Sequence, residues 1–236
     1  MLINFLKNNF FAQNLASWFV SLSPPMVEHN IGKYEALKRA LYLTALEDLE
    51  GDYLEFGVFT GSSFVFALRM HRKLRKLGSA NTSFYGFDSF CGFGDVSDHD
   101  AHPFYQDDTF NISAEKVKKN IRKKAKDLPH TITEGFFDDT IKGKTPEELG
   151  IKQKARIVFI DCDLKDPSIV IFDFVRPIIQ EGMILMMDDF YSYKGRLDLG
   201  VSGAFEEFKA AHPEYEWRRV FDYGFGGIGY ICSKAP

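Results

Sequence analysis

The sequence predicts an α/β fold: a mostly parallel, doubly wound sheet of seven strands, with a C-terminal antiparallel hairpin and an N-terminal helical extension. Three observations support this prediction. From residue 34 onward, short apolar runs typical of strands alternate with segments of helical periodicity. The runs at 157–160 and 183–187 are apolar throughout, as in strands that helices cover on both faces. The last two runs flank the turn GFGG, which indicates a hairpin.

The predicted elements follow a regular order along the chain. Residues 1–32 are predicted to form the N-terminal helical extension, and residues 33–236 the main domain. Apolar residues repeat at helical spacing over 34–49, while 91–111 is a long polar segment rich in Gly, His and Asp that we expect either to act as a lid or to be disordered. We expect strands at 52–56, 83–87, 131–133, 157–160 and 183–187, helices at 62–76, 168–180 and 201–211, and a hairpin of 217–221 with 228–232.

The composition excludes some classes of protein. The 236 residues carry a net charge of −4, and the basic run 116–126 keeps Val117 and Ile121 on one helical face, so we expect an outer helix and no nucleic-acid partner. Three cysteines without metal-site spacing indicate a reducing compartment and a cytoplasmic protein. No stretch predicts a transmembrane segment, and the first residues lack the unbroken apolar core of a signal peptide.

The N-terminal extension carries apolar side chains that can share one helical face. We expect this face to pack on the main domain or on the partner in a homodimer, with peripheral membrane contact as the alternative. The side chains concerned are Leu2, Leu6, Leu15, Trp18, Phe19 and Leu22.

A glycine-containing loop, EFGVFTGSS, connects the first predicted strand to the helix at 62–76. Gly57 and Gly61 allow the backbone to turn tightly and to approach a ligand, and the first amides of the helix can bind an anionic group. The third position of the dinucleotide pattern GxGxxG is Phe59 here, which weakens an NAD-binding interpretation. A tight strand-to-helix turn without a ligand is the structural alternative.

Two further segments follow the second and third predicted strands. Asp88 can accept hydrogen bonds from both ribose hydroxyls of a nucleoside, although it can also cap the next segment. Phe136 and Phe137 can enclose an adenine ring or can form a pair within the core. Because ligands of open α/β sheets bind at the carboxyl ends of the strands, these segments predict a nucleoside site there.

Four aspartates follow the fourth and fifth predicted strands: Asp161, Asp163, Asp188 and Asp189. Carboxylates this close together repel one another unless a cation compensates their charge. Hard oxygen ligands without His or Cys favour Mg²⁺ over Zn²⁺, so the sequence predicts a magnesium site. Helix caps and ion pairs at the strand ends are the alternative interpretation.

The ordered motifs GDYLEFGVFTGSS, FYGFDSFCGF, TEGFFDDTI, VFIDCDL and EGMILMMDDFYSYKG resemble those of the macrocin O-methyltransferase family, the TylF/MycF-like enzymes. The resemblance runs from about residue 51 to 210 and implies a Rossmann-like class I methyltransferase fold. It implies methyl transfer from S-adenosylmethionine to a hydroxyl of a small molecule or glycan, most often of a sugar, with Mg²⁺ as a second cofactor. Where the family usually has Tyr after DCDL, this chain has Lys165.

The resemblance also implies roles for individual residues. The chemistry of the reaction, rather than the resemblance, makes Asp161 and Lys165 the two candidate bases, since either can take the proton of the hydroxyl nucleophile. An ion pair with a neighbouring aspartate is the alternative for Lys165. The implied magnesium ligands are Asp161, Asp188 and Asp189, and the implied S-adenosylmethionine contacts are Glu55, Phe56, Gly57, Gly61, Ser62, Ser63, Asp88, Ser89, Gly135, Phe136, Phe137 and Asp161.

Three other functions remain open at this point. A catechol-like phenol satisfies the same metal chemistry as a sugar hydroxyl. An NAD-linked sugar oxidoreductase or epimerase usually carries a Tyr-x-x-x-Lys pair, which the segment Tyr191-Ser-Tyr193-Lys194 does not supply. A non-catalytic adenosyl-binding protein has no need of the three metal-binding carboxylates.

Overall fold

A single seven-stranded sheet forms the centre of the protein, in a computed structural model that describes residues 9–105 and 110–236. The strand order is β3-β2-β1-β4-β5-β7-β6. Five strands run parallel: β1 (Asp52–Phe56), β2 (Phe84–Asp88), β3 (His130–Glu134), β4 (Ala155–Ile160) and β5 (Ile184–Met187). The hairpin of β6 (Glu216–Tyr223) and β7 (Gly227–Lys234) joins β5 in antiparallel fashion, so the predicted fold class is confirmed.

Helices cover both faces of this sheet. In chain order they are α1 (Phe10–Leu22), α2 (Pro25–Leu46), α3 (Ser62–Leu74), α4 (Ala114–Ala125), α5 (Phe137–Thr140), α6 (Lys165–Val175) and α7 (Gly200–Ala211). Among the described residues, none of these helices combines the length and the apolar character that a membrane crossing requires.

Strand β4 shows how the two faces are filled. Its six residues are all buried, and successive side chains point to opposite sides of the sheet. Ile157 and Phe159 pack with α2, α3 and α4, whereas Val158 and Ile160 pack with α6 and α7. Because both faces are covered by apolar helices, the strand is apolar from Ile157 to Ile160, as the sequence predicted.

Two helices differ from their predicted extents. Helix α2 begins at Pro25 rather than at residue 34, because proline suits the first helical position, where no amide bond is lost. The predicted division between residues 32 and 33 therefore falls inside this helix. Helix α6 ends at Val175 rather than at residue 180, because Pro177 has no amide hydrogen with which to continue it.

Candidate active site

A cleft of about 1010 Å³ opens at the carboxyl ends of β1, β2, β4 and β5. The backbone ladders extend past the strand ends into the cleft walls: the Gly57 amide donates to the Phe87 carbonyl, and the Asp161 amide to the Phe56 carbonyl. Lining residues come from every segment that the sequence analysis singled out, and the long loop 91–111 adds Phe93 and Phe104.

The glycine loop forms the floor beside β1. Gly57 has a φ of +94°, and a β-carbon at this position would lie 1.8 Å from the Asp161 carbonyl oxygen. Only glycine fits there, because both the backbone conformation and the space forbid a side chain. Of the predicted cofactor contacts in this loop, Gly57, Ser62 and Ser63 line the cleft, whereas Gly61, Glu55 and Phe56 are not among its described lining residues.

Glu55 lies one layer behind the cleft. Its carboxylate is fully buried and accepts hydrogen bonds from the Ser63 hydroxyl at 2.6 Å and from the Tyr53 hydroxyl at 2.5 Å. Burial raises the pKa of Glu55 to about 7, and the two hydroxyl donors partly oppose that rise. The structure thus gives Glu55 a contact with Ser63, which itself lines the cleft.

Asp88 lies at the end of β2 and lines the cleft. One carboxylate oxygen accepts the Phe59 amide at 2.7 Å, and the other accepts the Phe90 amide at 2.6 Å. These bonds fix the carboxylate, and each oxygen keeps a second lone pair for a ligand hydroxyl. Neighbouring Ser89 also lines the cleft and donates its hydroxyl to the Gly92 carbonyl at 2.7 Å.

Gly135, Phe136 and Phe137 all line the cleft, but the two aromatic rings differ in environment. Phe136 is 38% exposed and lies beside the backbone of Gly94 in the long loop. Phe137 packs edge-to-face on Phe56 in the core, with ring centroids 5.9 Å apart. Phe136 is therefore the ring that presents an open face to a ligand.

The structure brings the three predicted metal ligands together. One carboxylate oxygen from each of Asp161, Asp188 and Asp189 lies within 4.8 Å of the other two. Asp163 adjoins this group, and burial, followed by the nearby Asp189 carboxylate, raises the pKa of Asp163 well above its usual value. We call these four residues the acidic cluster.

Two side chains of α2 contact the acidic cluster, and the sequence analysis missed both. The Lys33 ammonium lies 2.9 Å from an Asp161 oxygen and 2.7 Å from an Asp188 oxygen. His29 lies one turn earlier, with Nε2 2.9 Å from the same Asp188 oxygen. Its Nδ1 accepts the Phe225 amide at 3.2 Å, which leaves the proton of a neutral ring on Nε2, facing Asp188. The four-residue spacing of His29 and Lys33 was the available signal, because residues four apart share a helical face.

The charges within the acidic cluster are unbalanced. Burial would raise the pKa of Asp188, but Lys33 and His29 outweigh it and hold that pKa below its usual range. Burial and the Asp188 charge raise the pKa of Asp161 well above its usual value. The Asp188 Oδ1 atom is buried without a hydrogen-bond partner among the described residues. One lysine facing four carboxylates leaves room for a divalent cation, whose preferred ligands are such oxygens.

Lys165 points away from the acidic cluster. Its ammonium binds a Glu207 carboxylate oxygen at 2.7 Å and the Asp198 carbonyl at 3.0 Å. It is not among the described residues that line the cleft. This geometry does not favour Lys165 as the base, and its ion-pair partner is Glu207 rather than an adjacent aspartate.

The long loop forms the outer wall of the cleft, and several hydrogen bonds attach it to the rest of the protein. Asp100 accepts the backbone amides of Lys165 and Asp166 at 2.8 and 3.0 Å and so caps α6. The Tyr105 hydroxyl donates to Asp189 at 2.9 Å, which connects the loop to the acidic cluster. Residues 106–109 of the predicted lid lie outside the described part of the chain.

Comparison with known proteins supports one class of enzyme. A family model described as "Macrocin-O-methyltransferase (TylF)" matches residues 20–215. The O-methyltransferase NovP superposes with a TM-score of 0.67 at 19% identity, covering 86% of this chain and 81% of that chain. The calicheamicin methyltransferase CalS11 gives a TM-score of 0.68 at 17% identity, covering 98% and 89%. A search of curated protein sequences finds no match.

The sheet order, the glycine loop and the structural likeness define the Rossmann-like class I methyltransferase fold. The family match extends over most of the chain, and the chain therefore belongs to the macrocin-O-methyltransferase (TylF) family. It is an S-adenosylmethionine-dependent O-methyltransferase, and the predicted family and enzyme class are confirmed.

Proposed function

We propose that this enzyme methylates a sugar hydroxyl on a small molecule or glycan and that it requires Mg²⁺. The observation that carries the proposal is the acidic cluster, which opens into the same cleft as the glycine loop and retains an Asp188 oxygen that no described residue hydrogen-bonds. A reaction that deprotonates a weakly acidic hydroxyl next to a cationic methyl donor needs both features in one cavity.

S-adenosylmethionine supplies an electrophilic methyl group, and this chain provides a groove that fits its parts. The amides that begin α3, together with Ser62 and Ser63, suit the carboxylate of the methionine half. Asp88 is held so that its remaining lone pairs can accept the ribose hydroxyls. Phe136 offers an exposed ring face to the adenine.

The metal ligands we propose are Asp161, Asp188 and Asp189. When bound, Mg²⁺ orients the acceptor hydroxyl and lowers its pKa. We assign Asp161 as the group that receives the proton, since its carboxylate lines the cleft beside Asp188 and Asp189. Lys33 keeps Asp161 and Asp188 in place by binding one oxygen of each.

Two observations support a sugar acceptor. The family model carries the description macrocin-O-methyltransferase. The apo structure of CalS11 is described as that of a TDP-rhamnose 3'-O-methyltransferase, and it superposes with a TM-score of 0.57 at 17% identity. In addition, Phe93, Phe104 and Phe110 line the outer wall of the cleft, where aromatic faces suit the apolar side of a sugar ring.

The test is a methyl-transfer assay on the purified enzyme with a panel of nucleotide sugars and catechols as acceptors. Treatment with EDTA should abolish turnover, and added Mg²⁺ should restore it. Calorimetric binding of S-adenosylhomocysteine, measured with and without EDTA, separates loss of the metal from loss of the cofactor site. Turnover that survives EDTA would overturn the metal requirement, and turnover of catechols alone would overturn the sugar assignment.

A cytoplasmic location is part of the same proposal. Cys91, Cys162 and Cys232 are all free thiols, and Cys91 is exposed. Free thiols persist in reducing compartments and pair or oxidise outside them. Cell fractionation with antibodies against the native protein tests the location, and recovery from an extracytoplasmic fraction would contradict it.

A further inference from the structure

Helix α1 has no partner within the described chain. None of its thirteen residues is buried. Its apolar side chains are largely exposed, including Phe10 at 82%, Phe11 at 75% and Phe19 at 60%. Isolated exposed apolar residues are ordinary, but a continuous apolar surface of this kind marks an interaction site.

The apolar surface continues onto the outer side of α2. Met26, Val27 and Ile31 are each about half exposed, and they follow α1 directly in the chain. Val27 and Ile31 face away from the cleft, whereas Met26 lies on the side of α2 that also carries His29 and Lys33 to the acidic cluster. We call α1 together with these three residues of α2 the N-terminal apolar surface.

The character of α1 favours a protein partner over a membrane. The segment FFAQNLASWFVSL contains no Asp, Glu, Lys or Arg, whereas a helix lying on a bilayer has a charged, usually basic, face. Thirteen helical residues extend roughly 20 Å, which is shorter than the roughly 30 Å hydrocarbon core that a spanning helix must cross. The polar residues of α1 share one side of the helix and are uncharged, so a protein surface suits the apolar remainder better than charged lipid headgroups do.

The area of the N-terminal apolar surface matches that of a stable protein–protein contact. Large aromatic side chains each bury roughly 150–250 Å², so the exposed part of this surface is on the order of 1,000 Å² per copy. A standard interface buries about 800 Å² on each partner. An uncharged apolar surface can be covered by the same surface of a second copy across a two-fold axis, the commonest symmetry of soluble oligomers.

We propose that two copies of this enzyme pair through the N-terminal apolar surface to form a two-fold symmetric dimer. The surface reaches the cleft, since Met26 is one of its lining residues. The partner copy therefore packs next to the cleft entrance, and it also packs against the helix that carries Lys33.

Light scattering coupled to size-exclusion chromatography, run over a series of protein concentrations, tests the proposal on the full chain. The wild-type enzyme should be a dimer. The double variant Trp18→Glu/Phe19→Glu should raise the dissociation constant of the dimer by on the order of 30-fold or more, as expected for central aromatic residues of an interface. The matched control is Leu77→Glu/Leu197→Glu, which places the same two charges on similarly exposed apolar residues and should leave the dimer unchanged.

The double variant should fold normally, since α1 contributes nothing to the core, and circular dichroism with thermal melting checks this. Hydrogen exchange adds a measurement that needs no mutation: residues 10–22 of the wild type should be protected at high concentration and lose protection on dilution. A wild-type monomer at all concentrations, or a dimer that persists in the folded double variant, would overturn the proposal. Flotation of the wild-type enzyme with phosphatidylcholine–phosphatidylglycerol vesicles would also overturn it, in favour of membrane contact.

Discussion

At the scale of single residues, the most informative contact is the one between Lys33 and the acidic cluster. Its ammonium bridges Asp161 and Asp188, and it is largely buried there with them. Removing one member of a buried ion pair leaves an uncompensated charge in the protein interior. The free-energy cost of that charge is far larger than the stabilisation that the intact pair provided. The Lys33 ammonium therefore stabilises the acidic cluster, although Lys33 lies far from those aspartates in the sequence.

The variant Lys33→Met tests this role. Without Mg²⁺ it should lower the free energy of unfolding by about 3–5 kcal/mol, because Asp161 and Asp188 then repel each other. Added Mg²⁺ should raise its melting temperature more than that of the wild type, since the ion replaces the missing charge. The control Lys142→Met removes an exposed ion pair with Asp138 and should change stability by less than about 1 kcal/mol. Equal melting of Lys33→Met and wild type without metal would contradict the role.

The identity of the base gives a second prediction. Asp161→Asn should lower kcat by about 10²–10⁴-fold, because the hydroxyl loses its proton acceptor, while the affinity for S-adenosylhomocysteine stays within a few fold of wild type. Lys165→Met should retain nearly full kcat, since that ammonium binds Glu207 instead of the acidic cluster. Steady-state kinetics and calorimetry on both variants decide the matter, and the opposite ranking of kcat would make Lys165 the base.

At the scale of elements, the junction between β1 and β4 restricts the glycine loop most tightly. Gly57→Ala should destabilise the fold by about 3 kcal/mol or more, since its β-carbon would collide with the Asp161 carbonyl, and binding of S-adenosylmethionine should be lost. Gly143→Ala is the matched control: Gly143 also has a positive φ, of +71°, but open space around it. The control should cost only about 1–2 kcal/mol of backbone strain and keep full cofactor affinity. Chemical denaturation and calorimetry measure both effects, and similar losses in the two variants would refute the steric argument.

Elements whose signals are local were predictable from the sequence. Strand β1 has its predicted limits, and β4 was recognisable because covered faces require apolar residues on both sides. The beginning of α6 was not predictable, because its first amides are capped by Asp100, which lies more than sixty residues earlier. No local pattern around Lys165 reports such a cap.

The candidate site also contains some residues whose positions were predictable from the sequence and others whose positions were not. The acids at 161, 188 and 189 follow strands that end at one edge of the sheet, so their proximity was deducible from topology. His29 and Lys33 were missed because the predicted helix began at residue 34 and the predicted division between residues 32 and 33 separated them, whereas one helix, α2, carries both. Glu55 has the expected position in sequence, but its side chain turns inward to Tyr53 and Ser63, a choice that the motif alone does not reveal.

At the scale of the whole molecule, His71 makes stability depend on pH. Burial and the nearby Arg156, Arg75 and Arg72 lower its pKa from 6.5 to about 4. As pH falls below 6.5, His71 gains a proton in the unfolded chain but stays neutral in the folded chain. The free energy of unfolding therefore decreases as pH falls from about 6.5 to about 4. The full loss is about 3 kcal/mol.

The variant His71→Phe isolates this effect from those of the carboxyl groups. The difference in free energy of unfolding between variant and wild type should shift in favour of the variant as pH falls from 7 to 4, by about 3 kcal/mol in total. Urea titrations at several pH values supply the measurement. A difference that stays constant over this range would show that His71 is not the responsible group.

The position of Lys33 has a consequence for how the enzyme matures in a cell. Because a side chain already neutralises part of the charge between Asp161 and Asp188, newly synthesised protein can complete its tertiary structure before it acquires an ion. Under the proposed magnesium requirement, folded enzyme without the ion would accumulate in an inactive form and become active on binding magnesium. The ion would then control activity, whereas Lys33 would maintain the folded state until the ion binds.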